Sequence, residues 1–204
     1  LPDSSEVSID AKDGKMAVKA GKSRFSLQTL PASDYPRLTM SQEQLQSFSL
    51  PQKLLKATLR LVEFAMAQQD VRYYLNGLLF DLRDQSLRCV ATDGHRLALC
   101  EAPYEGSAQT KRQIIVPRKG VTELQRLLEG GDRELELEMG RGHIRVKRDD
   151  VTFTSKLIDG RFPDYEAVIP IGADKEVRID REVLRASLQR AAILSNEKYR
   201  GVRI

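Results

Sequence analysis

The sequence predicts an α+β fold in which antiparallel sheets carry a few helices and one pattern of elements repeats along the chain. Short segments of alternating apolar and polar residues, as on either side of Asp13-Gly14, indicate strands joined by tight turns. Two segments, 51–67 and 120–129, instead place apolar residues at helical spacing. The alternating pattern of the N-terminal segment returns after residue 133. Sheets with helices added are typical of the α+β class.

The repeat is visible when the sequence is shifted by 128 positions, which places Val7 on Leu135. The coinciding pairs are Val7 with Leu135, Ile9 with Leu137, Gly14 with Gly142, Met16 with Ile144, Val18 with Val146, Lys19 with Lys147, Phe25 with Phe153 and, after one deletion, Leu30 with Leu157, Tyr35 with Phe162 and Pro36 with Pro163. A shift of 129 then aligns 50–59 with 179–188. Ordered pairs with a single gap are hard to explain as chance agreement between strands.

The repeat predicts the domain organisation. Residues 1–45 are expected to end one domain, 46–172 to form a complete middle domain, and 173–204 to begin a third. We therefore expect the chain to be a fragment of a longer protein.

The middle domain is expected to run strand, helix, strands, helix, strands. The helix at 51–67 is predicted to be capped by Ser49 and to bury Leu54, Leu55, Thr58, Leu61, Val62 and Ala65. The helix at 120–129 is predicted to end at Gly130-Gly131. The predicted strands are 72–80, 86–92, 95–101, 113–116, 133–139, 143–148 and 151–157, with a linker at 37–47. The third domain is expected to open with a strand at 176–179, a helix at 181–195 and a strand at 201–204.

Composition narrows the class of protein. The 204 residues are 41% hydrophobic and 30% charged, as in globular proteins, and no apolar run is long enough to cross a membrane. The segment that begins at Leu1 has no features of a signal peptide. Cys89 and Cys100 sit in apolar, strand-like surroundings, which favours free thiols and a reducing, cytoplasmic location.

The distribution of charge is more informative than the net charge of +4. The first helix carries Lys53, Lys56 and Arg60, and the helix at 181–195 is also basic. An acidic strand near residue 136 alternates Glu134, Glu136 and Glu138 with apolar residues, so these carboxylates are expected to face solvent. Basic helices on one side of a sheet would offer a positive surface to a polyanion, although each helix alone could simply present its solvated face.

Asp93-Gly94 and Asn76-Gly77 lie among apolar residues and are predicted to form hairpin turns. Asp93 and His95 together could serve a hydrolase or transferase, because a carboxylate near an imidazole is suited to acid–base chemistry. The sequence has no nucleophile elbow, phosphate loop or metal-ligand spacing beside them. We therefore expect no catalytic residues, metal or cofactor, and a binding role for this turn. A peptide-binding adaptor without a DNA role stays open as an alternative.

Five blocks along the chain resemble a known family. They are QDVRYYLNG at 69–77, ATDGHRLA at 91–98, VPRKG at 116–120, DGRFPDY at 159–165 and ILSNEKYRG at 193–201. Their order and content resemble the bacterial DNA sliding clamps, the beta subunits of DNA polymerase III. The resemblance implies a non-catalytic processivity factor that encircles double-stranded DNA as a homodimeric ring. Its clamp domains would place antiparallel sheets outside and two helices per domain on the inner face.

The resemblance also implies three sets of site residues. The expected DNA contacts are Gln69, Arg72, Tyr73, Tyr74, Lys53, Lys56, Arg60, Arg118 and Lys119. The expected pocket for short peptide motifs of replicative and repair polymerases and of the clamp loader is lined by Leu75, Thr92, Gly94, His95, Arg96, Leu97, Pro163 and Val168. The expected dimer interface contains Lys22, Arg24, Leu27, Ile193 and Leu194.

Overall fold

The computed structural model describes residues 4–36, 45–104, 111–195 and 201–202. The chain divides into two compact units, Leu1–Phe162 and Pro163–Ile204. Among the described residues, the first unit contains three antiparallel sheets and two α-helices, and the second contains one α-helix. The α+β class predicted from the sequence is confirmed. None of the helices in the described ranges is both long and apolar enough to cross a membrane.

The first sheet is a meander of β1 (Ser8–Lys12), β2 (Lys15–Ala20) and β3 (Ser23–Gln28). Its first turn is the predicted hairpin turn at Asp13-Gly14, where Lys12 pairs with Lys15. Asp13 and Gly14 have φ angles of 50° and 74°. Positive φ at both central residues is what a two-residue turn needs to match the twist of its strands.

The other two sheets have four strands each. One has the order β11-β10-β9-β4 and the other β7-β6-β5-β8. Their strands are β4 (Gln46–Pro51), β5 (Gly77–Leu82), β6 (Ser86–Thr92), β7 (Leu97–Pro103), β8 (Arg112–Pro117), β9 (Glu134–Met139), β10 (His143–Arg148) and β11 (Val151–Lys156). The helices are α1 (Gln52–Val62), α2 (Arg118–Leu127) and α3 (Arg181–Ile193).

The sequence repeat is also a repeat of strand register. Ile9 pairs with Val18 in the first sheet, and their counterparts Leu137 and Val146 pair in the second. Val18 likewise pairs with Phe25, as Val146 does with Phe153. The same apolar positions therefore meet across equivalent strands, and the repeat is confirmed for these strands.

The core of the first unit lies between the two helices and the two four-stranded sheets. Its fully buried side chains include Leu50, Leu55, Leu59, Leu78, Phe80, Leu82, Leu87, Leu124, Leu135 and Leu137. Leu61 was predicted to be buried, but its side chain is 62% exposed and Leu59 is buried in the same helix. The buried face of α1 instead runs through Leu55, Leu59 and Val62. The helix ends at Val62 and continues as a 3-10 turn, Glu63–Ala65, so the helix predicted at 51–67 is shorter than expected.

The start of α1 is held by backbone groups rather than by Ser49. The amides of Gln52 and Lys53 donate to the carbonyl oxygens of Arg133 (2.9 Å) and Gly131 (3.1 Å). Ser49 lies within β4. The first amides of a helix need acceptors from outside it, and here the segment before β9 supplies two of them. The predicted Ser49 cap is therefore wrong.

The C-terminus of α2 receives two cations from other elements. Lys56 Nζ donates to the carbonyl oxygen of Leu128 (2.6 Å), and Arg148 Nη1 donates to that of Leu127 (2.8 Å). Positive charge at the last carbonyls of a helix satisfies their lone pairs and complements the helix dipole. These bonds tie α2 to α1 and to the second sheet.

Several predicted strand boundaries are wrong. In the segment 72–80, Tyr73–Leu75 forms a 3-10 turn and the strand begins only at Gly77. The strand predicted at 95–101 begins at Leu97, because the turn before it has four residues rather than two. The predicted linker 37–47 contains residues 46 and 47 of β4, and its residues 37–44 lie outside the described ranges. The helix predicted at 120–129 begins earlier, at Arg118.

In the second unit, α3 confirms the predicted helix, but residues 176–179 form no strand. A strand needs a hydrogen-bonding neighbour, and no described strand pairs with this segment. Of the strand predicted at 201–204, residues 201–202 are not in a strand, and 203–204 lie outside the described ranges.

Glu138 was expected to face solvent, yet it is buried, with a relative exposure of 6%. Its carboxylate accepts from Arg145 Nη1 (3.1 Å) and Lys147 Nζ (2.6 Å) on the neighbouring strand β10. Glu134 and Glu136 are exposed as predicted. Strand alternation correctly placed Glu138 on the same face of β9 as Glu134 and Glu136. At residue 138, however, the side chains of Arg145 and Lys147 cover this face and bury the carboxylate.

Candidate functional site

Two irregular segments of the first unit meet at one end of the third sheet. One is the segment 66–76, which leads into β5, and we call it the 66–76 loop. The other joins β6 to β7, and we call it the 93–96 turn. Thr92 pairs with Leu97 at the base of the turn, so the two central strands of the sheet fix where the turn stands.

The 66–76 loop is closed by its own asparagine. The Asn76 side chain accepts from the Asp70 amide and donates to the Asp70 carbonyl, both at 2.9 Å. The Ala67 amide donates to the Leu75 carbonyl (3.0 Å), and Gln69 adopts a positive φ of 54° at the bend. Asn76-Gly77 is therefore not the tip of a hairpin. The asparagine amide instead replaces a backbone pair and holds the loop in one shape.

Arg72 joins the loop to the turn. Its Nε and Nη2 donate to the Asp70 carboxylate at 3.0 and 2.7 Å, and Nη2 also donates to the Asp93 carbonyl oxygen at 3.1 Å. The Asp70 carboxylate also accepts from the Arg72 amide. The side-chain and backbone hydrogen bonds from Arg72 lower the pKa of Asp70 from 3.8 to about 2.

Gly94 suits its position through its backbone conformation, and it lies close to Arg72. It has a φ of +86°, and a Cβ atom at this position would lie 2.8 Å from Arg72 Nη1. A side chain at residue 94 would therefore strain the turn and push the guanidinium away.

The Asp93 carboxylate shapes the turn from within. It accepts from the amides of His95 and Arg96, both at 3.0 Å, and from Arg96 Nε at 3.1 Å. Burial acts to raise the pKa of Asp93, but these hydrogen bonds and the Arg96 charge outweigh it, and the pKa is lowered. Thr92 Oγ1 closes the base, accepting from the Gly94 amide and donating to the Arg96 carbonyl.

Arg96 connects the turn to the end of α1. Its Nη2 donates to the Phe64 carbonyl at 2.8 Å, and its guanidinium carbon lies 5.4 Å from the centre of the Phe64 ring. The Phe64 and Leu61 side chains remain 55% and 62% exposed. An apolar surface therefore adjoins the polar turn.

The Asp93 carboxylate is engaged within the turn itself. The recorded partners of the Asp93 carboxylate are two backbone amides and Arg96, and among the described residues it has no hydrogen bond with the His95 imidazole. The ranges that the structure describes contain no group of His, Cys, Asp and Glu side chains that could hold a metal ion. A rigid turn with exposed backbone next to apolar side chains is typical of a peptide receptor.

Comparison with known proteins decides the family. The model of the DNA polymerase III beta subunit central domain matches residues 49–164, and the model of the N-terminal domain of the same subunit matches residues 1–39. The chain belongs to the DNA polymerase III beta subunit family. The resemblance inferred from the five sequence blocks is therefore confirmed.

Individual beta subunits show the extent of the similarity. The beta sliding clamps of Escherichia coli strain K12 and Pseudomonas aeruginosa strain PAO1 are 50% and 51% identical over 204 residues, which is 100% of this chain and 55% of each relative. The chain thus spans about half the length of the curated relatives it matches.

Solved beta subunit structures share the fold. A crystal structure of the Pseudomonas aeruginosa DNA polymerase III subunit beta superposes with a TM-score of 0.90 at 50% identity, covering 98% of this chain and 55% of that one. A second structure from the same organism, bound to griselimycin, also has a TM-score of 0.90 at 50% identity and covers 98% of this chain and 54% of that one.

Within this beta subunit chain, most of the predicted pocket residues come together around the 93–96 turn. Leu75 is buried beneath the loop, Thr92 and Leu97 are half-buried at the base, and Gly94, His95 and Arg96 are exposed. The remaining two, Pro163 and Val168, belong to the second unit. There Val168 ends a 3-10 turn, Glu166–Val168, and its side chain is 66% exposed.

The predicted DNA-contacting cations fall into two groups. Lys53, Arg60 and Lys119 are exposed. The other cations are engaged with the protein: Arg72 bonds Asp70, Lys56 bonds the end of α2, and Arg118 Nη1 donates to the Met66 carbonyl at 3.3 Å.

The remaining predicted DNA contacts lie on the 66–76 loop. Gln69 is exposed at its bend. Tyr73 and Tyr74 form an edge-to-face pair with ring centres 5.7 Å apart in the 3-10 turn. Both tyrosines therefore lie in a turn and not in the strand predicted at 72–80.

The predicted interface residues are exposed in their own units. Leu27 on β3 is 51% exposed, and Lys22 and Arg24 lie beside it on the same hairpin. In the second unit, Ile193 and Leu194 at the end of α3 are 80% and 93% exposed.

Sequence reasoning did not single out Asp70 or Phe64, and it assigned Asn76 to a hairpin turn rather than to the closure of the 66–76 loop. An aspartate two positions before an arginine is a local signal that could have indicated Asp70, because an Asx side chain often bonds the backbone amide two residues on. Phe64 had no local signal, because its partner Arg96 lies 32 positions away.

Proposed function

We propose that this chain acts as part of a DNA sliding clamp, a non-catalytic processivity factor that tethers the replicative polymerase to double-stranded DNA. The observation that carries the proposal is the 50–51% identity with named beta sliding clamps over the entire chain, an aligned region that spans the preformed 93–96 turn. The clamp works without cofactor or metal, in the cytoplasm, where DNA replication takes place in bacteria.

The 93–96 turn is the proposed receptor for short peptide motifs of polymerases and of the clamp loader. Leu97 would supply apolar contact at the turn, and Thr92, Gly94, His95 and Arg96 the polar rim. Leu75, Pro163 and Val168 stay predictions from the family resemblance. Supporting this, the turn is fixed by hydrogen bonds before any ligand arrives, which lowers the entropy cost of binding. A related clamp binds griselimycin, and we propose that this chain takes it at the same site.

The proposed DNA contacts are loose and made to phosphate. Lys53 and Arg60 on α1 and Lys119 on α2 are exposed cations that form no ion pair with another described residue. Gln69 and Tyr73 are exposed on the 66–76 loop. Charges of this kind attract the backbone without reading sequence, as a protein that slides along DNA requires.

The proposed domain organisation keeps the predicted boundaries, 1–45, 46–172 and 173–204. The order of the two family models and the repeated strand register support it. The exposed apolar residues Leu27, Ile193 and Leu194, with Lys22 and Arg24, would close a homodimeric ring.

The proposed tether is tested by changing the topology of the DNA from circular to linear. The protein is loaded onto nicked circular DNA with a clamp loader, the circle is linearised in half of the sample, and the retained protein is measured by gel filtration. We expect retention on the circle and loss from the linear form, because a ring slides off free ends. Equal retention on both forms would contradict the tether and favour ordinary affinity binding.

A further inference from the structure

We infer that Arg72 is a positioning residue for the partner peptide, acting through the 93–96 turn, and is not a DNA contact. This inference rests on the proposed function of the turn as a peptide receptor. It reassigns a residue that the family resemblance had placed among the DNA contacts.

The first step is that the Arg72 guanidinium is already committed. Its Nε and Nη2 donate to both oxygens of Asp70, and Nη2 also donates to the Asp93 carbonyl. Asp70 neutralises the charge and is itself held by the Asn76 side chain. A phosphate would have to displace a bidentate carboxylate that is fixed in place, so this arginine is a poor source of counterion release.

The second step is that Arg72 supports the turn at two points. It donates to the carbonyl of Asp93 and lies against Gly94, where a Cβ atom would be 2.8 Å from Nη1. The Asp93 carboxylate supports the turn from its other side through the amides of His95 and Arg96. Without Arg72, the turn keeps its internal hydrogen bonds from Thr92 and Asp93 but loses the bond that ties it to the 66–76 loop. The peptide must then order the turn more fully, at a cost in affinity.

The third step links the two surfaces. The loop that presents Gln69 and Tyr73 is the one that carries Asp70 and Arg72, so a ligand that shifts the loop also shifts the turn. Coupling of this kind is reciprocal between two ligands. Peptide bound at the turn would therefore favour one arrangement of the loop for DNA.

The experiment compares Arg72→Gln, Asp70→Asn and the double variant, with Arg133→Gln as matched control. Arg133 also forms an ion pair, with Asp149 at 2.9 Å, but it lies outside both segments. A fluorescein-labelled peptide from the clamp-binding segment of a replicative DNA polymerase subunit is titrated against each protein. Loading on circular DNA is measured from 50 to 200 mM salt, a range over which one lost phosphate contact changes the salt effect about threefold.

We expect Arg72→Gln to weaken peptide binding about tenfold while the salt dependence of loading stays unchanged. Asp70→Asn should also weaken peptide binding. The double variant should bind the peptide no more weakly than Arg72→Gln, since the two residues act as a unit. Arg133→Gln should match the parent protein.

Two results would overturn the inference. One is an unchanged peptide affinity in Arg72→Gln. The other is a salt slope lowered by about one unit, the signature of a lost phosphate contact. Leu97→Ala separates this failure from failure of the proposed function: if Leu97→Ala also binds peptide normally, the turn is not the receptor. If Arg72→Gln binds the peptide normally but Leu97→Ala does not, the turn is still the receptor and the positioning role of Arg72 is wrong. Thermal unfolding identifies any variant that has lost its fold.

Discussion

Lys56 Nζ donates a 2.6 Å hydrogen bond to the carbonyl oxygen of Leu128, so a lysine of α1 caps the C-terminus of α2. The bond joins residues 72 positions apart in sequence. Lys53, one turn earlier in α1, is exposed. Two lysines that look alike in the sequence therefore have different environments, and they should respond differently to substitution.

Lys56→Met should destabilise the protein by about 1–2 kcal/mol, because the last carbonyls of α2 lose a charged donor. Its effect on the salt dependence of DNA loading should be small. Lys53→Gln should do the opposite, leaving stability within about 0.5 kcal/mol and lowering the salt slope by about 0.9. Urea unfolding and loading assays at several salt concentrations measure the two effects. Equal behaviour of the two variants in both assays would contradict this division.

The acid response of the site should depend on Asp70. Its pKa is depressed from 3.8 to about 2, mainly by the hydrogen bonds from Arg72. A carboxyl group whose pKa is lower in the folded state stabilises the fold above its unfolded pKa and loses that contribution as pH falls. The contribution of Asp70 should therefore be complete above about pH 4 and disappear towards pH 2.

Carbon-detected NMR titration of the aspartate carboxyls checks this directly. The Asp70 midpoint should lie near 2 in the parent protein and return towards 3.8 in Arg72→Gln. The melting temperature of Asp70→Asn should also fall less between pH 6 and pH 3 than that of the parent. A normal Asp70 midpoint in the parent would show that the ion pair is not maintained in solution.

Glu138→Ala should be among the more damaging substitutions on the second sheet. Glu138 is buried, and Arg145 and Lys147 both donate to it. Its removal leaves two partly covered cations without their shared acceptor, at an expected cost of about 2–3 kcal/mol. Glu136 is exposed on the same strand and also pairs with Lys147, so Glu136→Ala is the matched control, with an expected cost below about 1 kcal/mol. Chemical denaturation measures the free energy of unfolding of both variants. A similar loss of stability in both would argue against burial at Glu138.

Peptide binding should depend more on Leu97 than on the charge of Asp93. Leu97→Ala removes apolar contact area at the base of the turn and should weaken the polymerase-derived peptide about tenfold or more. In Asp93→Asn, an amide oxygen can still accept from the His95 and Arg96 amides, so the loss should be only about threefold. A hydrolase or transferase using Asp93 and His95 would require the reverse order. Fluorescence titration of both variants distinguishes the two.

Much of the candidate site could be predicted because its residues are local in sequence. The alternation of β6 and β7 and the Asp93-Gly94 pair indicate a turn between two strands, and the structure has one there. The length of the turn was wrong, since Asp93 uses its carboxylate to hold four residues rather than two. Side-chain hydrogen bonds to backbone amides extend turns in ways that residue preferences do not reveal.

The sequence by itself determined the α+β class, the apolar repeat and the resemblance to the family. Apolar periodicity is a local property that survives in any arrangement of the elements, because each strand must bury one face. The tertiary structure alone decided which polar groups meet. Arg72 reaches the Asp93 carbonyl across 21 positions, and Lys56 reaches Leu128 across 72. Such bonds form only between groups that packing brings within about 3 Å, and a charge in the sequence does not specify its partner.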